Sequence, residues 1–300
     1  MIVALAFIGK LPSYIIECIH QIRSYFEGSI YLIIDDTESI YLQSICIYNI
    51  TIIRYSNVSD KLFLDTVSKN INKFYYVCNL HGREQLFVRS FERFFVLKNL
   101  LEKINETDCL FLELDNLIYD DPNKWIKSFS KYDLCYMYDN EDRFSSGLMY
   151  VKNHNALDGF LSYIINYINT SNEFLNEMST LCRYYKLNTD KICILPTYWL
   201  DKSVPSITNL HYLEYNDSIF DALAIGCYLL GIDPYHTNGV IKTNTHAHWC
   251  AVNYTQLKFD WKIDEKERKR PYVWNGEKWL LINNLHVHSK DLKSGLSKFV

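Results

Sequence analysis

The chain reads Cys109-Leu-Phe-Leu112, then Glu113-Leu114-Asp115, then Asn116-Leu-Ile-Tyr119. The first stretch is an apolar run of strand length, and two carboxylates one residue apart follow it directly. Because alternate residues of a strand point the same way, both carboxylates can face one hard cation where the strand ends. Such a cation takes oxygen ligands and is often shared with phosphate groups. The stretch predicts a buried strand followed by a metal site at Glu113 and Asp115, with a solvated turn as the alternative.

Segments of strand and helix character alternate on the amino-terminal side of this stretch. We predict strands at residues 2–8, 30–34, 50–55 and 75–79, and helices at residues 12–26, 60–69 and 84–103. Repeated β–α units of this length indicate an α/β fold, with a Rossmann-like, mostly parallel sheet and helices on both faces. Ligands of such sheets bind outside the carboxyl ends of the strands, which is where Gly9, Asp35 and the acid pair (Glu113 and Asp115) fall.

The rest of the chain mixes helices with short strands. We predict helices at residues 122–129, 156–167, 173–185 and 220–230, strands at residues 133–137, 147–151, 192–195 and 280–284, and a loop at residues 138–146. Asn275-Gly276 indicates a hairpin between residues 272–274 and 278–282, with a type I′ turn in which both central residues have positive φ. No linker or internal repeat is visible, so we expect one domain over residues 1–300 with a small antiparallel carboxyl-terminal section.

The composition restricts the partners and the location of the protein. The 300 residues are 48% hydrophobic and carry a formal net charge of −4, which argues against nucleic acid or an anionic membrane as a partner. The nine cysteines include no Cys-x-x-Cys pair, which favours buried thiols in a reducing compartment. No apolar run approaches the roughly 18 residues of a membrane span, and the first residues lack the shape of a signal peptide. We therefore predict a soluble, cytoplasmic protein.

Five stretches, in their order and spacing, carry a resemblance to a known family. They are Arg89-Ser-Phe-Glu-Arg93-Phe-Phe, Phe111-Leu-Glu-Leu-Asp-Asn-Leu-Ile-Tyr119, Ser145-Ser-Gly-Leu-Met-Tyr150, Phe220-Asp-Ala-Leu-Ala-Ile-Gly226 and Asn283-Asn-Leu-His-Val-His-Ser-Lys290. With them the chain resembles nucleotide-sugar glycosyltransferases of the GT-A type, and especially a group of bacterial and large-virus enzymes. The resemblance covers most of the chain.

The resemblance implies an activity and its cofactors. Such enzymes transfer a sugar from a nucleoside diphosphate to an acceptor such as a glycan, usually with Mn²⁺ or Mg²⁺, and UDP is the carrier we expect. It also divides the chain into a nucleotide-binding half (1–120) and a half that binds the acceptor and completes the metal site (121–300). One departure is that Glu113 stands where the family usually has Asp. Direct contact with the metal can therefore rest on Asp115 alone, with Glu113 acting through water or a sugar hydroxyl.

A late pair of histidines is the candidate to complete the metal site. His286 and His288 follow a predicted strand, in which residues i and i+2 share one face, and neutral imidazole binds Mn²⁺ or Zn²⁺ well. In related glycosyltransferases a late histidine completes the metal shell and a nearby lysine meets the diphosphate. By that resemblance His288 and Lys290 match best, although the choice between the two histidines stays open. The alternative is a pair of structural histidines on a strand edge.

The nucleotide and the sugar are expected along the first strands and their neighbours. Phe7, Ile8 and Gly9 can bring the backbone close to a base, since glycine lacks Cβ, and Asp35 can accept from the base or ribose. A simple turn and a helix cap are the alternatives. Two further groups are predicted to contact the donor or the acceptor, with an ion-paired helix surface and a tight turn as their alternatives: Arg93, and the loop residues Ser146 and Gly147.

An inverting transferase needs a general base for the acceptor hydroxyl, whereas a retaining one does not. Asp221 is our candidate, because it lies at the start of a short predicted helix in the region that usually faces the acceptor. A plain N-cap is the alternative role for Asp221, and Asp217 and Glu214 are alternative bases. Tryptophans of the carboxyl-terminal third can also stack on a sugar, although packing is their default role.

Two other functions are compatible with the sequence. His246-Ala-His248 is a second histidine pair, and together with His286 and His288 it could form a metal-dependent hydrolase centre. A non-catalytic protein that binds sugars or nucleotides with the same fold is the second rival.

Overall fold

The computed structural model describes residues 1–74, 85–232 and 249–298, and these ranges contain thirteen strands and eight α-helices. The strands are β1 (Ile2–Phe7), β2 (Ile30–Ile34), β3 (Thr51–Arg54), β4 (Cys109–Leu112), β5 (Asn116–Ile118), β6 (Leu134–Asn140), β7 (Arg143–Val151), β8 (Ile192–Leu195), β9 (Ser218–Ile219), β10 (Phe259–Ile263), β11 (Lys269–Trp274), β12 (Trp279–Ile282) and β13 (Asn284–His286). The α-helices are α1 (Ile15–Arg23), α2 (Leu42–Cys46), α3 (Lys61–Asn70), α4 (Leu86–Ile104), α5 (Ile126–Phe129), α6 (His154–Thr170), α7 (Glu177–Leu187) and α8 (Ala224–Leu230). The predicted strand at residues 75–79 lies outside the described ranges.

Within those ranges, no helix combines the length and the apolar character needed to cross a bilayer.

Seven strands form the central sheet, in the order β3-β2-β1-β4-β7-β6-β8. Neighbouring strands are parallel except at β7, which runs antiparallel to both β4 and β6. The structure therefore confirms the predicted α/β fold with a mostly parallel sheet. The carboxyl ends of β1, β2 and β4 lie next to one another, as a parallel arrangement requires.

Helices cover both faces of this sheet, as the sequence predicted. Alternate residues of β1 belong to different cores: Val3 and Leu5 pack on the side of α1, and Ile2 and Ala4 pack on the side of α4. Side chains of a strand alternate between faces, so a strand covered on both sides is apolar throughout. β1 and β4 both fit that rule and lie at the centre of the fold.

The carboxyl-terminal section is a second sheet in the order β10-β11-β12-β9. Its first three strands are antiparallel, and β9 joins β12 in parallel. The predicted type I′ turn is wrong, because the closing pair is Trp274 with Trp279 and a four-residue loop lies between them. In this loop Gly276 has φ +101°, whereas Asn275 has negative φ and its Oδ1 accepts from the backbone N–H groups of residues 277 and 278.

A two-stranded ribbon joins the segment after the acid pair to the segment with the late histidines. β12 and β13 were predicted as one strand, but the chain changes partner after Ile282 and β13 pairs antiparallel with β5. In this pairing Asn284 lies opposite Ile118, and His286 lies opposite Asn116. The ribbon therefore brings the late histidine beside the residue that follows Asp115.

Two other boundaries differ from prediction. The predicted loop at residues 138–146 is the closed end of a hairpin, with Asn140 opposite Arg143. Its polar sequence indicated a loop, but the ends of β6 and β7 pair and are largely buried. Helix α8 begins at Ala224 rather than residue 220, because Phe220 N donates to Pro196 O (2.8 Å) and the chain is still extended there.

Candidate metal centre

The acid pair lies at the carboxyl end of β4, as the sequence predicted. Glu113 N continues the ladder to β7 by donating to Gly147 O (2.9 Å). Asp115 is buried, with only 4% of its surface exposed, so the solvated-turn alternative does not describe it. Buried carboxylates need compensating partners, and the centre is defined by what supplies them.

His286 comes within reach of both carboxylates. Its Nε2 lies 3.4 Å from Glu113 Oε2 and 3.4 Å from Asp115 Oδ2. One potential ligand atom from each of the three residues lies within 4.8 Å of the other two. Ligand atoms about 2.1 Å from one ion in adjacent octahedral positions are separated by about 3 Å. Two carboxylates and one imidazole at this spacing therefore fit a divalent ion such as Mn²⁺ or Mg²⁺.

His288 takes a different position from His286. Strand β13 ends at His286, and His288 follows in a turn, so the predicted shared strand face is wrong. The two ring centroids are 6.2 Å apart with planes at 75°. Among the described residues, the group with metal-ligand spacing includes His286 and not His288. The structure therefore favours His286, the alternative that the sequence left open.

Arg93 is the principal partner of Glu113. Its Nη1 contacts Glu113 Oε1, and its Nη2 donates to Ser146 Oγ (2.9 Å) and lies 3.3 Å from Glu177 Oε1. Helix α4 delivers this guanidinium to the edge of the sheet, between β4 and β7. The Arg93 side chain is only 11% exposed, so its charge interacts mainly with these protein groups rather than with water.

Lys290 is the principal partner of Asp115. Its Nζ contacts Asp115 Oδ2, the oxygen that also faces His286. Lys290 has φ +66°, a left-handed conformation that is uncommon for a residue with Cβ, and its N–H donates to Val287 O (2.9 Å). This tight turn returns the lysine to the carboxylate four residues after His286.

The charges of the centre depend on one another. Burial opposes ionisation of Glu113, but Arg93 and His286 outweigh it and lower its pKa to about 2. Burial likewise opposes ionisation of Asp115, and Lys290 and His286 hold its pKa well below the usual value. For His286, burial acts against the cation, and Asp115 and Glu113 raise its pKa well above the usual value. Both acids are therefore ionised, and positive charge is stabilised between them.

The predicted nucleotide contacts lie at the ends of β1 and β2. Phe7, Ile8 and Gly9 are partly exposed there, and Gly9 has φ +128°. Asp35 follows β2, and its Oδ1 accepts from Thr37 N (3.2 Å) and Thr37 Oγ1 (3.0 Å). These local bonds with Thr37 lower its pKa. The contact of these residues with a nucleotide stays a prediction.

Backbone N–H groups hold the side chain of Asp221, our candidate general base. Its Oδ1 accepts from Ile225 N (2.9 Å), and its Oδ2 accepts from Gly226 N (2.8 Å) and His286 N (3.0 Å). The residue is 1% exposed, and burial raises its pKa. Three backbone donors therefore hold this carboxyl group in place inside the protein. The role of Asp221 as a general base stays a prediction.

Sequence patterns did not select three residues of the centre. Glu177 begins α7 and shares Arg93 with Glu113, but no motif precedes it. Asn116 and Asn284 lie inside two of the five recognised stretches, and the Asn284 Nδ2 donates to Asn116 Oδ1 (2.7 Å). Their position beside metal-ligand candidates was the available signal. His246 and His248 lie outside the described residues.

Among the comparisons with known proteins, only the search of solved structures found similar proteins, and the similarity is low. No protein-family model matches the sequence, and no curated protein matches it significantly. The solved structures with a significant likeness include glycosyltransferases. Mouse xyloside xylosyltransferase 1 aligns over 68% of this chain and 89% of its own, at 10% identity and a TM-score of 0.45. Galactosyltransferase LgtC, solved with donor and acceptor sugar analogues, aligns over 66% and 74%, at 12% identity and a TM-score of 0.42.

The glycosyltransferase GlyE of Streptococcus pneumoniae aligns over 63% of this chain and 44% of its own, at 15% identity and a TM-score of 0.40. Because identities and TM-scores are low throughout, the inference of function rests on the residues of the centre.

Proposed function

We propose that the protein is a metal-dependent glycosyltransferase. It transfers a sugar from a nucleoside diphosphate sugar, with UDP as the carrier, to a glycan or other acceptor. The observation that carries this proposal is the convergence of the acid pair with His286, Arg93 and Lys290 at the carboxyl edge of the sheet. Ligands for a divalent ion beside fixed cations suit a substrate that contains a diphosphate. The family resemblance of the five stretches points the same way.

Glu113, Asp115 and His286 are the residues that would hold Mn²⁺ or Mg²⁺. When bound, the ion would neutralise charge on the diphosphate. The donor set supports this, because oxygen and imidazole ligands suit Mn²⁺ and the pKa values of Glu113 and Asp115 keep them ionised. Arg93 holds Glu113 in place through Oε1, and Oε2, on the side of His286, is the atom that would be offered to the ion.

Lys290 is the residue we assign to the departing diphosphate. As the bond between the sugar and the diphosphate breaks, its electron pair stays on the phosphate oxygen, where negative charge develops. A lysine side chain has a flexible stem and a compact charge, so its ammonium can move from Asp115 to that oxygen. The proton of the acceptor hydroxyl must pass to a base or to the diphosphate, and Asp221 does not serve as that base.

The other contacts belong to the same proposal. Phe7, Ile8, Gly9 and Asp35 would face the nucleoside. Ser146 and Gly147 line the side of the centre formed by β7, where Ser146 bonds Arg93 and Gly147 lies against Asn116 and His286. That position suits a contact with the transferred sugar.

The proposal is tested by assaying donor hydrolysis and transfer with UDP-, GDP- and CMP-sugars, with and without Mn²⁺, in wild type and in Asp115→Asn. We expect turnover of the UDP-sugar that requires the metal and falls at least tenfold in Asp115→Asn, a cost above about 1.4 kcal/mol in the transition state. Asp121→Asn is the matched control, because Asp121 caps a nearby turn and asparagine is an equally good cap.

The possible results separate the rivals. Full activity of Asp115→Asn would remove the metal assignment. A hydrolase centre built on the late histidines would need zinc, lose activity on changing His246 or His248, and tolerate Asp115→Asn. Nucleotide binding without turnover of any donor would identify a non-catalytic binding protein.

A further inference from the structure

The Asp221 carboxyl group is buried and unused by the mechanism. It lies in the recognised stretch Phe220-Asp-Ala-Leu-Ala-Ile-Gly226, to which the proposed function assigns no step. It is within hydrogen-bond distance of His286, the only imidazole that the described residues bring to the acid pair. Burying a carboxyl group costs free energy unless hydrogen bonds satisfy it, so its bonds show which parts of the chain it joins.

Two bonds from this segment fix His286. Asp221 Oδ2 accepts from the His286 backbone N–H (3.0 Å), and the carbonyl oxygen of the next residue, Ala222, accepts from His286 Nδ1 (3.1 Å). Because a carbonyl oxygen can only accept, Nδ1 carries a proton in this bond. Nε2 is then the nitrogen directed at Glu113 and Asp115. A metal-binding histidine is commonly held in this way, with its second nitrogen donating to a carbonyl group.

Asn284 fixes the Asp221 segment in turn. Its Oδ1 accepts from Asp221 N (3.0 Å), and its Nδ2 donates to Asp221 O (3.0 Å) and to Asn116 Oδ1 (2.7 Å). Asn116 directly follows Asp115 and lies opposite His286 in the ribbon. The three buried side chains Asn116, Asn284 and Asp221, here named the anchor network, thus join the acid pair to the histidine.

Gly226 shows how closely these parts are packed. A Cβ added to Gly226 would overlap the carbonyl oxygen of His286 and lie 2.8 Å from Asp221 Oδ2. Only glycine lets α8 approach β13 so closely, which explains the glycine at the end of the recognised stretch.

We infer that the anchor network positions His286 as a metal ligand, and that Asp221 is a positioning residue rather than a general base. The inference rests on the proposed function, because it assigns the network to the ion that the centre would hold. It gives the stretches at residues 220–226 and 283–290 one shared role. They set the position and the protonated nitrogen of the histidine that completes the centre.

The test measures Mn²⁺ affinity directly, by electron paramagnetic resonance of the free ion, in full-length wild type, Asp221→Asn and Asn284→Ala. In each variant the dissociation constant should rise about 10- to 100-fold, as is usual when partners of a metal ligand are changed. UDP-sugar turnover should return toward the wild-type rate at saturating Mn²⁺, with an unchanged pH profile. If Asp221→Asn does not fold, Asn284→Ala decides the result.

Asn209→Ala is the matched control. Asn209 is also buried and donates to two backbone carbonyl oxygens, those of Trp199 (3.1 Å) and Asp201 (3.2 Å), but it lies outside the anchor network. It should lose thermal stability and keep the wild-type affinity for Mn²⁺. An equal loss of affinity in this control would reduce the anchor network to general packing and overturn the inference.

Two further results are distinguishable. In the first, both network variants bind Mn²⁺ with wild-type affinity, and saturating Mn²⁺ does not restore their turnover. That result would overturn the positioning role and would support Asp221 as an acid–base residue. In that case the proposed function stands. A wild-type protein that binds no Mn²⁺ would refute the metal-dependent function itself, and the inference with it.

Discussion

The segments that follow β2 and β4 carry the same kind of residue in different surroundings. After β2, Asp35 bonds Thr37 two residues away, and Glu38 accepts from the backbone N–H groups of Ser39 and Ile40 and from that of Leu11, 27 residues earlier. After β4, Glu113 and Asp115 are bound by Arg93, Lys290 and His286, which lie 20 to 175 residues away in the sequence. The acids after β2 accept from neutral backbone and hydroxyl groups, which shape a loop. The acids after β4 are bound by cationic side chains, and in the proposed function Lys290 leaves Asp115 for the diphosphate while Arg93 stays on Glu113.

The largest effect should come from removing the buried cation that two partly buried acids share. Arg93→Met leaves Glu113 and Glu177 without their guanidinium, and breaking such a buried pair costs about 3–5 kcal/mol of unfolding free energy. Urea denaturation measures this. Lys98→Met on the same helix is the control, because its acidic partners Glu102 and Asp158 are more than half exposed and each pair should contribute less than about 1 kcal/mol. Equal losses in the two variants would show that the acids after β4 are no more dependent on distant partners than a surface pair.

A smaller effect, on activity rather than stability, is expected from Lys290→Met. The variant removes a positive charge from the diphosphate and should lower the UDP-sugar turnover rate about tenfold or more. It also removes a competitor for Asp115 Oδ2, so Mn²⁺ affinity should be unchanged or tighter. Lys293→Met serves as the control, since this neighbouring lysine is 78% exposed and pairs only loosely with Glu17. A large fall in Mn²⁺ affinity would instead show that Lys290 supports the centre rather than the leaving group.

The smallest effect should appear at the segment after β2. If Asp35 accepts a hydrogen bond from the nucleoside, Asp35→Asn should raise the KM for the UDP-sugar about threefold to tenfold. An increase of this size corresponds to the loss of about one hydrogen bond. Mn²⁺ affinity should not change, because the bonds of Asp35 are local. Asp36→Asn is the control, since Asp36 bonds Ser56 on the neighbouring segment. An unchanged KM in Asp35→Asn would show that Asp35 stabilises its local turn and does not contact the nucleoside.

Local patterns in the sequence were sufficient for most of the fold. The β–α alternation gave the mostly parallel sheet, and the predicted strands at 30–34, 109–112 and 192–195 match β2, β4 and β8 at both ends. These strands are fully or almost fully buried and apolar, so burial on both faces gives a signal that local composition alone reveals. The closed end of the β6–β7 hairpin was missed because its polar residues are paired by partners that no local pattern reveals.

The sequence by itself determined that two carboxylates follow a central strand and that a histidine pair and a lysine lie near the carboxyl terminus. Only the tertiary structure decided that His286 meets those carboxylates, that His288 does not share its strand face, and that Asp221 accepts a hydrogen bond from the His286 backbone. The physical reason is the pairing of β5 with β13. It joins Asn116 to Asn284 across 168 residues, and such a separation leaves no trace in local periodicity.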